Sequence, residues 1–394
     1  MINKNKDRGI TLVALVITII ILLILATISI QSLTNTGLFK NAQKAKDETQ
    51  NAAENQAKVL NEYEDELNKY ISGTQTTPPV PQVKKVEDNI GSVLSATDNK
   101  ELQDAFGNKI VVPAGFKIVS DSTTNNATTV DKGIVIEDAT VDSEGKATAT
   151  AGSQFVWIPV GKIYTDIAKT EENAKTIELN RYTFDENGKP TAQGEKVVET
   201  YFSETASKGN TVAKDINAFK KSATTKGGYY IGRYEARTTT KRTAEENALT
   251  QITEKGTDQV YNYVRQEQAA SQAQNMYNST KFTSDLINSY AWDTAITFIQ
   301  KCTDKTNYAN QNSLNESLSQ TGTTNDNPCN IFDMASNVRE WTTETSNNSD
   351  GPCVYRGGTY GYSNSYTCSR NYHNTSHSRA YIGFRPLLYV GLNS

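Results

Sequence analysis

The chain of 394 residues carries 40 Lys and Arg against 44 Asp and Glu, a net charge of -4, and 36% apolar residues with its 20 Tyr counted among them. Counting its 24 Gly in place of the Tyr leaves that share at about 37%, below the ~45–50% of an average globular domain, so the chain is polar and tyrosine-rich. No basic cluster follows the first eight residues, which excludes a nucleic-acid partner, because neutralising phosphates takes a dense Lys/Arg stripe. An aromatic content of 9% with three Trp suffices for one sizeable core and excludes disorder throughout.

From Ile10 to Ile30 the chain has no charged residue and is rich in Ile, Leu and Val. As a helix rising ~1.5 Å per residue, this run spans a ~30 Å hydrocarbon core. Lys4, Lys6 and Arg8 precede it, so the positive-inside bias places Met1 in the cytoplasm and everything after the helix outside. The expected localisation is the cell membrane, crossed once, with an extracellular C-terminal domain. The alternative is a cleaved secretory signal peptide, which has a shorter apolar stretch of ~7–15 residues. The run Lys6-Asp7-Arg8-Gly9-Ile10-Thr11-Leu12-Val13-Ala14-Leu15 resembles the class III leader of type IV prepilins. That resemblance implies a prepilin peptidase as partner, a cut between Gly9 and Ile10, and retention of the helix. The fifth mature residue, usually Glu in that family and used in filament assembly, is Ala14 here.

The expected organisation is a leader at 1–9, a transmembrane helix at 10–30, a helical stalk at 31–71, a linker at 72–99, a small β-rich region at 100–152 and a head domain at 153–394. Ala53, Ala57, Leu60, Leu67 and Ile71 recur at helical spacing, with Glu64 interrupting the apolar stripe. Two readings stand for the stalk: self-association with another helix, or a lone solvated helix. Pro78, Pro79 and Pro81 end it, since proline lacks the amide donor. The runs Ile110-Val111-Val112 and Gly133-Ile134-Val135-Ile136 predict short strands. The head mixes strand-like pieces with a core helix at Tyr290–Ile299, which predicts an α+β class.

Landmarks in the head follow in one order. They are Phe155-Val156-Trp157-Ile158-Pro159, Tyr229-Tyr230-Ile231-Gly232-Arg233-Tyr234-Glu235, Trp292-Asp293-Thr294-Ala295, Ile331 to Trp341, Arg356-Gly357-Gly358 and Gly383-Phe384-Arg385. The succession resembles the formylglycine-generating-enzyme (sulfatase-modifying factor) family, whose fold is a variant of the C-type lectin fold, over about residues 153 to 390. Where that family usually reads Gly-Asn-Val-Trp-Glu-Trp, this chain has Ser336, Asn337, Val338, Arg339, Glu340 and Trp341. The resemblance implies calcium near Glu340 as the one cofactor, bound with backbone carbonyls, and oxygen ligands suit that ion. Arg356 and Arg385 are suited to bidentate pairs with carboxylates such as Glu340.

Catalysis is not expected. The family's enzymes hold copper with two cysteines soon after Arg-Gly-Gly, and soft thiolates select that metal. Residues 359–367 contain no cysteine, and only Cys368 lies just beyond. The only two histidines, His373 and His377, have no acid at a telling spacing, which disfavours a Ser-His-Asp or Cys-His arrangement. Outside the cytoplasm four cysteines read as disulfides, with Cys302–Cys329 and Cys353–Cys368 favoured by proximity in sequence.

Residues 359–381 hold five Tyr, five Ser, three Asn, three Thr and both histidines, with no Leu, Ile, Val, Phe or Met. Such a stretch cannot fill a core. Tyr supplies rigid amphipathic contact area while Ser and Asn adapt their hydrogen bonds, the division of labour of antibody loops. The expected ligand contacts are Tyr360, Tyr362, Asn364, Tyr366, Arg370, Asn371, Tyr372, His373, Asn374, His377, Arg379 and Tyr381, with an external protein or glycan as partner. Flanked by two structural motifs, the segment resembles the variable proteins of diversity-generating retroelements, whose lectin-like scaffold ends in a diversified stretch. A fixed ligand site is the competing reading. The function expected is surface-displayed, non-catalytic ligand binding. The alternatives are a type IV pilin-like structural subunit and a formylglycine-generating-type oxidase, which the missing cysteine pair disfavours.

Overall fold

The computed structural model describes residues 84–141, 147–148, 152–195, 213–245, 256–312 and 317–392, with isolated positions Lys46, Asn61, Glu64, Asn68, Ile71 and Ser72. It divides into two units, Met1–Gln82 and Val83–Ser394. In the first unit Lys46, Asn61, Glu64, Asn68 and Ile71 are helical and exposed. The leader with its cut at Gly9 and Ile10, and the apolar run 10–30, lie outside the described residues. Among the described residues no helix is long and apolar enough to cross a membrane.

In the second unit ten strands and three helices position the site. The strands are β1 (Phe116–Val119), β2 (Val135–Asp138), β3 (Gln154–Pro159), β4 (Gly228–Gly232) and β5 (Phe282–Leu286), then β6 (Arg339–Thr345), β7 (Cys353–Arg356), β8 (Arg370–His373), β9 (Ile382–Phe384) and β10 (Pro386–Val390). The helices are α1 (Ile216–Lys226), α2 (Gln266–Gln274) and α3 (Ser289–Cys302). An antiparallel six-stranded sheet runs β5-β10-β4-β3-β2-β1. Its central strands are buried on both faces over Phe155–Pro159, Gly228–Gly232 and Pro386–Val390, which is why these read as continuous rather than alternating apolar runs. Phe219 of α1 packs edge-on against Tyr229 and Tyr389 at 5.2 and 5.6 Å, and the Tyr229 hydroxyl donates to the Ala291 carbonyl of α3 at 2.7 Å. Helix α3 starts on an Asn288 cap that accepts from Ala291 N, and every residue from Ser289 to Ile299 is buried.

A second sheet runs β8-β7-β6-β9, with β6 and β9 parallel and the other pairs antiparallel. Strand β7 leaves this sheet through Gly357 and Gly358. Gly357 sits at φ +92, and a Cβ on Gly358 would lie 2.0 Å from the Ala335 carbonyl oxygen, so neither position accepts a side chain. That close crossing fixes where the polar segment 359–381 begins.

Two boundaries differ from those read in the sequence. The region 100–152 is not a separate β-rich piece, because β1 and β2 extend the main sheet and Ile134, Val135 and Ile136 are fully buried there. Nor does the linker reach residue 99: Val86 is fully buried and Ile90 bridges to Ile118. The favoured disulfides are absent too, as all four cysteines are free thiols. Cys353 sits across from His373 while Arg370 sits across from Arg356, so Cys368 lies about five residues, or ~16 Å of strand, from its expected partner. Cys302 and Cys329 both line a cleft of about 590 Å³, where Cys329 Sγ is 3.7 Å from the Asp131 carbonyl oxygen.

Candidate ligand-recognition surface

Residues 359–381 form a loop, the edge strand β8 and a return to β9. The loop is pinned at alternate points by small polar side chains that are buried. The Thr359 hydroxyl donates to the Asn337 carbonyl, Ser365 Oγ to the Gly357 carbonyl at 3.0 Å, and Thr367 Oγ1 to the Gln311 carbonyl. Trp292 Nε1 donates to the Thr367 carbonyl at 3.0 Å, and Cys368 N to the Ala309 carbonyl at 2.9 Å. Between these pins the rings of Tyr362 and Tyr366 are 49% and 40% exposed, and Tyr372 on β8 is 41% exposed. Asn364, Asn374 and Arg379 are also exposed, whereas Tyr360, Asn371, His373 and Tyr381 are half-buried.

Two predicted contacts are instead structural. Arg370 turns inward, where it pairs with Asp293 and, through Nε at 2.9 Å, with Glu344. These belong to a buried network in which Arg356 Nη2 holds Asp293 at 2.6 Å and Arg181 holds Glu344. Burial alone would push the Glu344 carboxyl up, but Arg370, Arg181 and Arg356 outweigh it and hold the pKa below the ordinary range. Arg370 therefore bolts the edge strand to α3 rather than meeting a ligand.

His377 is the second. It is 4% exposed and stacks on His373 with ring centroids 3.4 Å apart, beside Trp341 and Tyr355. Among the described residues neither ring nitrogen has a hydrogen-bond partner. Burial, then the neighbouring His373, Arg379 and Arg339, pushes its pKa down to about 4. An unfolded His near 6.5 binds a proton that the native ring refuses, so this residue's contribution is complete above pH 6.5 and is lost as pH falls towards 4. Asp285 and Asp326, each pushed up to about 6 by burial, act in the opposite sense. They are common to wild type and a His377→Phe variant, so the difference between the two isolates His377. In denaturant unfolding the wild type is expected to lose about 2 kcal/mol relative to that variant between pH 7 and 4.5. Parallel pH curves would contradict this assignment.

Glu340 does not fit calcium. It is fully buried on β6, and both carboxylate oxygens accept from Arg385, at 2.6 and 3.0 Å. Burial pushes its pKa up to about 7. Arg385 also donates to the carbonyls of Gly232 and Phe332, so the pair ties β9 to the core. Among the described residues no group of three or more His, Cys, Asp or Glu could hold a metal.

The composition of 359–381 could not reveal the residue at the centre of this surface, Arg339. Its guanidinium lies over the rings of Tyr355, Tyr362 and Tyr381 at 5.4, 5.2 and 5.7 Å, and its Nε donates to Ser365 Oγ at 3.1 Å. Tyr362 and Tyr381 meet edge-on at 5.7 Å. Tyr263, half-buried and reached by Arg379 through a carbonyl bond to its backbone N–H at 3.1 Å, flanks Tyr360. The signal that could have found Arg339 was its place in the motif 336–341, where a Trp is usual in the resembling family.

The two sheets, the buried Trp helix and the pinned polar loop define a C-type-lectin-like domain of the formylglycine-generating type. Residues 141–388 match the model of the sulfatase-modifying factor enzyme 1-like domain, and the chain belongs to that family. Solved structures that it resembles include variable protein 1 of Treponema denticola, at 12% identity over 61% of this chain and 97% of that one, TM-score 0.34. PvdO from Pseudomonas aeruginosa aligns at 13% identity over 61% and 96%, TM-score 0.35. The Major Tropism Determinant M1 variant aligns at 14% identity over 79% and 99%, TM-score 0.28. No curated protein sequence matches this chain.

Proposed function

We propose that this protein is a non-catalytic binder displayed at the cell surface, and that residues 359–381 recognise an external ligand. The observation that carries this reading is the alternation of buried pins at Thr359, Ser365 and Thr367 with solvent-facing rings at Tyr362 and Tyr366. Exposed aromatic area on a fixed backbone binds at low entropic cost. The same separation lets the exposed positions vary without disturbing the scaffold, which supports a segment diversified by a retroelement. The uncharged run 10–30 behind Lys4, Lys6 and Arg8 supports anchorage in the membrane after a peptidase cut between Gly9 and Ile10, with the helical stalk available for self-association.

Several features favour binding over conversion. The Cys302 and Cys353 thiols are pushed up to about 12 by burial, and those of Cys329 and Cys368 are also raised, so none is an activated nucleophile. The histidines stack on each other rather than on an acid. Replacing Tyr362, Tyr366 and Tyr372 together with Ala tests the proposal: capture of the ligand is lost while the fold persists.

A further inference from the structure

The proposed recognition surface has a charge that no carboxylate neutralises among the described residues. Residues 351–394 contain no Asp, Glu or Lys but hold Arg356, Arg370, Arg379 and Arg385. Three of these are consumed inside the protein: Arg356 and Arg370 by Asp293 and Glu344, and Arg385 by Glu340. Arg339 and the exposed Arg379 remain as the cations of this face. Among the described residues no carboxylate pairs with Arg339; its neighbours are the three rings and the Ser365 hydroxyl.

An arginine enclosed by aromatic walls is partly stripped of water and restricted in motion, so it gains more from a carboxylate than a free surface arginine does. Its planar fork accepts that group in two parallel N–H···O bonds. We infer that Arg339, caged by Tyr355, Tyr362 and Tyr381, binds an acidic side chain of a protein ligand. This rests on the proposed recognition role of the surface and adds the chemistry of what is recognised. A protein is favoured over an acidic sugar because β8 is the edge of its sheet, where only a peptide backbone can continue the ladder. The three exposed tyrosines beside it also match the composition of protein-binding loops.

The test selects a displayed library of random 12-residue peptides against the full chain in mild detergent, with near-UV circular dichroism confirming the fold of each variant. Selected peptides are expected to share an Asp or Glu and to bind Arg339→Gln ~10–100-fold more weakly, the size of a lost hydrogen-bonded charge pair. Arg339→Lys keeps the charge without the fork, so it should fall between the two and serves if Arg339→Gln fails to fold. Lys221→Gln on the distant exposed face of α1 removes the same charge and should change nothing. Peptides without acids, or acidic peptides that bind Arg339→Gln as well as wild type, overturn the inference. If their binding still needs Tyr362, the recognition surface stands and only its anionic preference falls. Binding indifferent to both Arg339 and the tyrosines refutes the recognition reading itself. Stronger capture of hyaluronate than of any peptide would assign the carboxylate to a sugar and overturn the protein partner.

Discussion

Replacing Tyr362, Tyr366 and Tyr372 with Ala is expected to abolish ligand capture and leave the protein folded. Aromatic anchors in an interface cost roughly 1–3 kcal/mol each when truncated, so the triple variant should lose at least about a hundredfold in affinity. The same rings are 40–49% exposed, and substitutions at such positions usually shift stability by less than about 0.5 kcal/mol apiece. Tyr372 packs against Gly351 and Tyr362 against Tyr381, so a small loss of about 1 kcal/mol in total is expected, or about 2–4 °C in Tm. Thermal melts and surface binding of the two chains side by side read both quantities. A fall beyond about 10 °C would mean that the rings are part of the core.

Glu344→Ala is expected to do the reverse, damaging the fold and only through it the surface. The carboxylate is fully buried and receives Arg181 and Arg370, with Arg356 Nη1 3.7 Å away. Without it Arg356 and Arg370 share Asp293, and Arg181 loses its ion pair with Glu344. Breaking a buried pair from one side costs about 3–5 kcal/mol, because the orphaned charge stays in a low-dielectric site. Against a total stability of about 5–15 kcal/mol that is severe. Tm should fall by about 10 °C, and amide exchange in Arg370–His373 should quicken more than in the main sheet, since Arg370 is the bolt of that strand. A melt within 2 °C of wild type would show that the network does not hold the strand.

How far the sequence could be read depended on the range of the forces at each position. Gly357-Gly358 and Gly383-Phe384-Arg385 were legible because a close backbone crossing and a paired arginine constrain residue type wherever they occur. Arg356 was expected to seek a carboxylate and does, but its partners are Asp293 and Glu344 rather than Glu340. Arg370 and His377 were misplaced because composition marks a whole segment as polar without showing which members turn inward. That choice is made by Asp293 and Trp341, far away in the chain. The boundary near residue 152 failed for the same reason, since Val135 pairs with Val156 across a sheet whose order no local pattern encodes. Arg339 was visible only as a departure from a motif, and its meaning needed the three rings around it.

If residues 359–381 present variation-tolerant side chains on a fixed backbone, folding depends on the buried pins and not on the exposed rings. A saturation substitution scan across this segment, scored for folded chain by a conformation-dependent antibody to the head, tests it most directly. Tyr362, Asn364, Tyr366, Asn374 and Arg379 are expected to accept nearly every residue, while Thr359, Ser365, Thr367, Arg370 and His377 accept few. Equal tolerance at both sets, or intolerance at the exposed tyrosines, would contradict it.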